Sequence, residues 1–120
     1  MSARDPADRS LARDDEPLRE ILEAEARIQR HLRGVDERSF LSDELLRAGV
    51  AGNLLFLSAA CARVSSATRA RSPDVPWRDL VAARGLLVRD DASIDWSAVW
   101  RMTRGSLPKV RARLAALVAG

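Results

Sequence analysis

The sequence predicts an all-α protein, a bundle of four to five antiparallel helices in one domain. Three observations carry that expectation. No run of four or more residues alternates polar and apolar with a two-residue period. Apolar residues instead recur at helical spacing through most of the chain, with proline and glycine punctuating the stripes. At 120 residues, 47% hydrophobic and 31% charged, the chain can bury one sizeable core but not two.

The elements follow in order. Residues 1–15 mix Asp, Arg, Ser, Ala and Pro without apolar periodicity and read as a flexible tail, which leaves 16–120 as the helical domain. Leu18, Ile21, Leu22, Ile28 and Leu32 make the stripe of a first helix over 15–33, and Gly34 suits its C-terminal cap. Val35, Phe40 and Leu41 anchor a short connection. Ser42 is expected to cap a second helix over 43–70, with Asp43 and Glu44 complementing the first-turn dipole. Gly49 and Gly52 each cost that helix about 1 kcal/mol of propensity relative to Ala, and leave room for another backbone to approach.

The segment Ser72-Pro73-Asp74-Val75-Pro76 ends this helix, and Pro76 starts a third over 76–88. Asp95 caps a fourth, in which Trp96, Val99, Trp100 and Thr103 share a face. Gly105-Ser106-Leu107-Pro108 should bend or interrupt it before Val110, Leu114, Leu117 and Val118 resume the stripe.

Composition removes several function classes. Charged side chains interrupt every apolar run, so none is expected to approach the ~20 residues that span a bilayer. The N-terminus lacks a signal-type apolar segment, and a cytoplasmic location without membrane contact is expected. Cys61 is alone, so it can form neither an intramolecular disulfide nor a cysteine-cluster metal site. It lies on an apolar stripe and reads as packing. His31 has no partner at metal-ligand spacing, and the scattered glycines form no phosphate loop. No metal and no cofactor are expected. Trp96 and Trp100 read as core, and Trp77 as a staple between its helix and the bundle.

Charge divides the chain. Residues 1–59 carry nine basic and twelve acidic side chains, whereas 60–120 carry eleven basic and five acidic ones. The basic half suits an anionic partner, RNA included. All cations except Lys109 are arginines, whose planar fork binds two phosphate oxygens at once.

The segment Pro76 to Asp91, PWRDLVAARGLLVRDD, resembles the signature P-W-x-x-I-x-x-x-R-N-x-L-V-H-x-Y of the HepT-like subfamily of HEPN proteins. The resemblance covers residues 17–118, through Pro17 to Ala24, Phe40-Leu41, Asn53-Leu54, Val99-Trp100 and Ser106-Leu107-Pro108. It implies a homodimer in which two motifs face one cleft, and metal-independent RNA cleavage by the Arg and His of R-x4-H. A histidine moves protons near neutral pH, while an arginine stabilises charge on phosphate. Toxins of this kind are implied to pair with a minimal nucleotidyltransferase antitoxin, which modifies the motif tyrosine.

Arg84 stands at the family's arginine position, but the histidine position is Arg89, which cannot give up a proton. Gly85 replaces the asparagine, Asp91 replaces the tyrosine, and the helix-2 motif G-E-A reads Ser58-Ala59-Ala60. The resemblance and these departures together imply a degenerate member of a toxin–antitoxin type system. Arg84, Arg89, Asp90 and Asp91 would line a dimer cleft that binds RNA, a nucleotide or a nucleotidyltransferase partner, without the family's ribonuclease mechanism. The alternative is an active endoribonuclease toxin, neutralised by a minimal nucleotidyltransferase, with its acid or base relocated to Asp90, Asp91 or His31. A plainer reading of the same residues pairs Arg84 and Arg89 with Asp79, Asp90 or Asp91.

Overall fold

A computed structural model describes residues 13–119, and every regular element among them is helical. The helices are α1 (Asp15–His31), α2 (Glu37–Ser42), α3 (Glu44–Ala62), α4 (Ser66–Ala70), α5 (Trp77–Leu87), α6 (Trp96–Arg101) and α7 (Leu107–Ala119). A π-helical turn, Met102–Ser106, joins α6 to α7. α3 lies between α1 and α5, and α7 packs on α1. The core is continuous through Leu18, Ile28, Phe40, Leu57, Leu80 and Leu114.

Residues 1–12 of the expected tail lie outside the described residues. Asp14, its penultimate member, belongs to the bundle. Only 5% of it is exposed, and its carboxylate accepts hydrogen bonds from the Ser65 amide and hydroxyl at 3.1 and 2.6 Å. Burial pushes this carboxyl up, but the hydrogen bonds from Ser65 and Thr68 outweigh it and hold it below the usual carboxylate range. The start of α1 is thereby tied to the corner after α3.

That corner corrects the single helix expected over 43–70. The chain leaves helical geometry after Ala62, and Ser65 caps the separate α4 by accepting from the Thr68 amide. Asp43, not Ser42, caps α3, because it accepts from the Leu46 amide; the Ser42 hydroxyl donates back to the carbonyls of Arg38 and Ser39. The stretch expected as a plain connection contains α2, whose Phe40 is fully buried between α3 and α6. Gly34 has φ +73°, as its capping place after α1 requires.

The expected interruption before Pro108 takes the form of the π-helical turn, Met102–Ser106. The Leu107 amide donates to the Met102 carbonyl, five residues back. In that register the Thr103 carbonyl faces Pro108, which has no N–H to give. The Gln29 side chain supplies the missing donor at 2.7 Å, so the helix passes through without an orphaned group.

α3 also departs from expectation. By length and composition it is apolar enough to cross a membrane, with mean hydropathy 1.5, whereas no such run was anticipated. It is nevertheless the middle helix of the bundle, although only 33% of its most apolar window is buried.

Glu25 is 1% exposed, and neither carboxylate oxygen has a hydrogen-bond partner. Arg111 on α7 stands 3.8 Å away. Burial pushes the carboxyl up, against Arg111 and Gln29, which favour its charged form. A carboxyl raised on folding makes the folded state bind the extra proton, so stability falls as pH rises from the ordinary value of 4.5. Glu25→Gln is expected to remove that pH dependence and to raise stability at neutral pH by roughly 1 kcal/mol. Thermal melts from acid to neutral pH check it; an unchanged slope contradicts it.

Candidate functional site

α5 carries the motif. Trp77, Leu80, Ala83 and Leu87 form its buried face. The Trp77 indole donates to the Ser72 carbonyl at 3.0 Å, and the Arg69 guanidinium lies 5.9 Å from its ring, so Trp77 does staple the helix to the preceding loop. On the other side the Ser58 hydroxyl donates to the Val81 carbonyl at 2.8 Å. Ser58, at the family's glycine position in α3, therefore ties α3 to α5. The flank of α5 beside α3 carries Val81, Arg84, Gly85 and Val88, at helical spacings of three and four.

Arg84 is exposed in the last turn of α5, and Arg89 is exposed just past its end. The Arg89 Nε donates to the Gly85 carbonyl at 3.3 Å, so it helps to cap the helix C-terminus, where the dipole favours a cation. Among the described residues neither arginine forms an ion pair with Asp79 or Asp90. Asp90 is exposed, and its carbonyl accepts from the Ser93 amide and hydroxyl. Asp91 opens a short 3-10 turn, and its side chain lies outside what the structure describes.

His31 is not part of this group. It sits in the last turn of α1 and lines a separate recess of about 420 Å³ with Asp43, Leu45, Leu46 and Gly49. Cys61 is fully buried, and burial pushes its thiol up to about 12 against the opposing charge of Arg69. It packs and is no nucleophile. Trp96 and Trp100 wrap Phe40, with ring centroids 6.2 and 5.3 Å away, and Arg47 and Arg104 cover their outer faces. Among the described residues, no three His, Cys, Asp or Glu side chains are gathered as a metal site.

Beside the motif, the outer face of α3 is open. Leu45, Ala48, Gly52, Phe56 and Ala59 follow one another at helical spacing and are all exposed, Leu45 to 84% and Phe56 to 45%. From Ala48 to Ala62 the helix carries no charged side chain. A Cβ built on Gly49, Gly52 or Gly85 meets nothing within 4 Å. The close backbone approach expected at Gly49 and Gly52 is thus absent within the chain.

The all-helical bundle, the Pro76-Trp77 start of α5 and Arg84 in its last turn coincide with a match to the family model described as "Ribonuclease HepT-like", over residues 21–117. The chain belongs to the HepT-like ribonuclease family. A relative in Methanocaldococcus jannaschii, named "Putative RNase MJ1380", is 24% identical over 94 residues, which cover 78% of this chain and 86% of that protein. No solved structure matches the chain at a significant level. The bundle is accordingly the all-α HEPN architecture.

Sequence reading placed Arg84 near the end of this helix and Arg89 and Asp90 just past it, and the structure has Arg84 in the last turn of α5 with Arg89 and Asp90 exposed beyond its end. It missed the buried Glu25 and the Asp14–Ser65 link. Asp14 sits in a charged run and Glu25 between two alanines among other glutamates and arginines, so only the tertiary contacts distinguish them.

Proposed function

We propose that this protein is a HepT-like homodimer of a toxin–antitoxin type system that binds RNA phosphates at an arginine-lined cleft and no longer cleaves by the family's proton-transfer mechanism. The observation that carries the reading is the pair of exposed arginines at the end of α5, with Arg89 at the histidine position. Arg84 and Arg89 can hold a phosphate, and their planar forks suit its oxygens. Neither can act as a general base, because arginine stays protonated. His31, the one histidine, lines a different recess.

The open face of α3 supports the dimer. Its stripe of small and apolar residues is uncharged, flat at the glycines and adjacent to the Arg84 flank, which is what a face pairing with its own copy needs. Gly52→Arg, which places a cation where a Cβ meets open space, is expected to leave a monomer in sedimentation velocity without loss of helix content. A persistent dimer would place the interface elsewhere. A nucleotidyltransferase partner remains part of the proposal as the protein that would engage the assembled cleft.

The test is binding of single-stranded RNA. The Arg84→Ala/Arg89→Ala variant is expected to bind at least tenfold more weakly than the wild type, with a salt slope reduced by about 2. Equal affinity would contradict the reading.

A further inference from the structure

α6, the π-helical turn and α7 hold a second cationic surface. After Asp95 the chain contains no acidic residue, while Arg101, Arg104, Lys109, Arg111 and Arg113 follow. Lys109 and Arg113, one turn apart on α7, line two adjoining recesses of about 440 and 520 Å³, which share Asp74 on the opposite wall. Arg71 completes the outer end. The wall's one carboxylate, Asp74, holds Arg113 at 2.7 Å, but both side chains are about half exposed or more, and such a pair yields readily to a competing anion.

The first recess also shares Pro76 and Ser106 with a third, of about 310 Å³. That recess is mainly apolar, carries one carboxylate of its own, Asp79, and runs along α5 past Met102 to Leu86, three residues before Arg89. The three recesses form one trough, cationic at the α7 end, aliphatic in the middle, and ending at the turn of α5 that carries the motif. By helix rise, the α5 part alone spans about 15 Å from Pro76 to Leu86.

We infer that this trough is a track for single-stranded RNA, which seats phosphates on Lys109 and Arg113 and lays bases against Met102 and Leu86 on the way to the motif end of α5. The inference deepens the proposed reading and rests on it for the far end of the track. The alternation of cations and apolar surface fits a polynucleotide, whose charge and bases alternate in the same way. An acidic protein segment would match the cations but leave the aliphatic wall without a counterpart.

The experiment compares fluorescence anisotropy of a labelled single-stranded RNA of ~20 nucleotides with that of a labelled dinucleotide. Lys109→Ala/Arg113→Ala is expected to weaken the long RNA roughly tenfold and to lower its salt slope by about 2, while the dinucleotide affinity stays unchanged. Lys109→Arg should retain wild-type affinity. Both replaced side chains are exposed, and circular dichroism verifies that the bundle persists. Unchanged affinity of the double variant for long RNA overturns the track while leaving the motif site standing if Arg84→Ala still weakens binding. A loss in the α7 variant with none in Arg84→Ala sustains the track and overturns the motif site instead. Displacement of the RNA by polyglutamate at equal charge overturns the assignment to RNA in favour of an acidic protein partner.

Discussion

Phe40→Ala is expected to destabilise the protein by about 3–5 kcal/mol, the range for truncating a fully buried aromatic ring. The ring is 0% exposed and contacts Trp96 edge-on and Trp100 at a tilt. Removing it leaves a cavity that two rigid indoles cannot collapse into, and it also removes the aromatic pairing itself. The loss spreads, because α6 is held on α3 through α2, and α6 continues through the π-helical turn into α7. Since small domains are stable by only about 5–15 kcal/mol, the variant should lose roughly a fifth or more of its stability. Urea unfolding measures this directly; a change under 1 kcal/mol would mean that the α2–α6 contact is marginal.

Arg89→His is expected to confer RNA cleavage by the family's proton-transfer chemistry, which the proposed reading denies to the wild-type chain. The variant keeps Arg84 to stabilise charge on phosphate and adds an imidazole of ordinary pKa about 6.5 at the family's histidine position. Proton transfer by a positioned side chain contributes roughly 10²–10⁴-fold, so the gain should be visible above the background of the wild-type protein. Its pH profile should bend near neutrality, and Arg84→Ala in the same background should remove the activity. Cleavage that fails to appear even when Gly85→Asn restores the neighbouring motif residue would contradict the idea that the missing proton carrier is what silences the site.

Much of the fold was legible because helices announce themselves by spacing. The stripe of α1 falls where Leu18, Ile21 and Ile28 place it, and α5 starts directly after Pro76. Gly34 signalled its own positive φ. The misplacements have local causes. Ser42 and Asp43 are adjacent and both good caps, and the choice between them depends on which amide is left free, a fact settled only by α2. The break after Ala62 contains neither proline nor glycine; it is fixed by Ser65 meeting Asp14, fifty-one residues earlier. Pro108 implied a bend or break; the chain answers it with a π-helical turn, and Gln29 on another helix supplies the lost donor.

The site was legible in a different way. Arg84, Gly85 and Arg89 stand out against a family motif, not by their own periodicity. The trough along α7 escaped notice because Lys109 and Arg113 look like any solvated helix face. Only the packing of the Asp74–Pro76 loop against that face turns it into a groove.

The central claim is tested most directly by incubating the purified wild-type protein and Arg84→Ala with a mixed RNA pool, at protein concentrations near that of the RNA, and analysing the fragments. The account predicts that neither protein cleaves, while the wild type binds the RNA and Arg84→Ala binds it more weakly. Cleavage by the wild type that Arg84→Ala abolishes would contradict it, and would mean that another residue performs the proton transfer that Arg89 cannot.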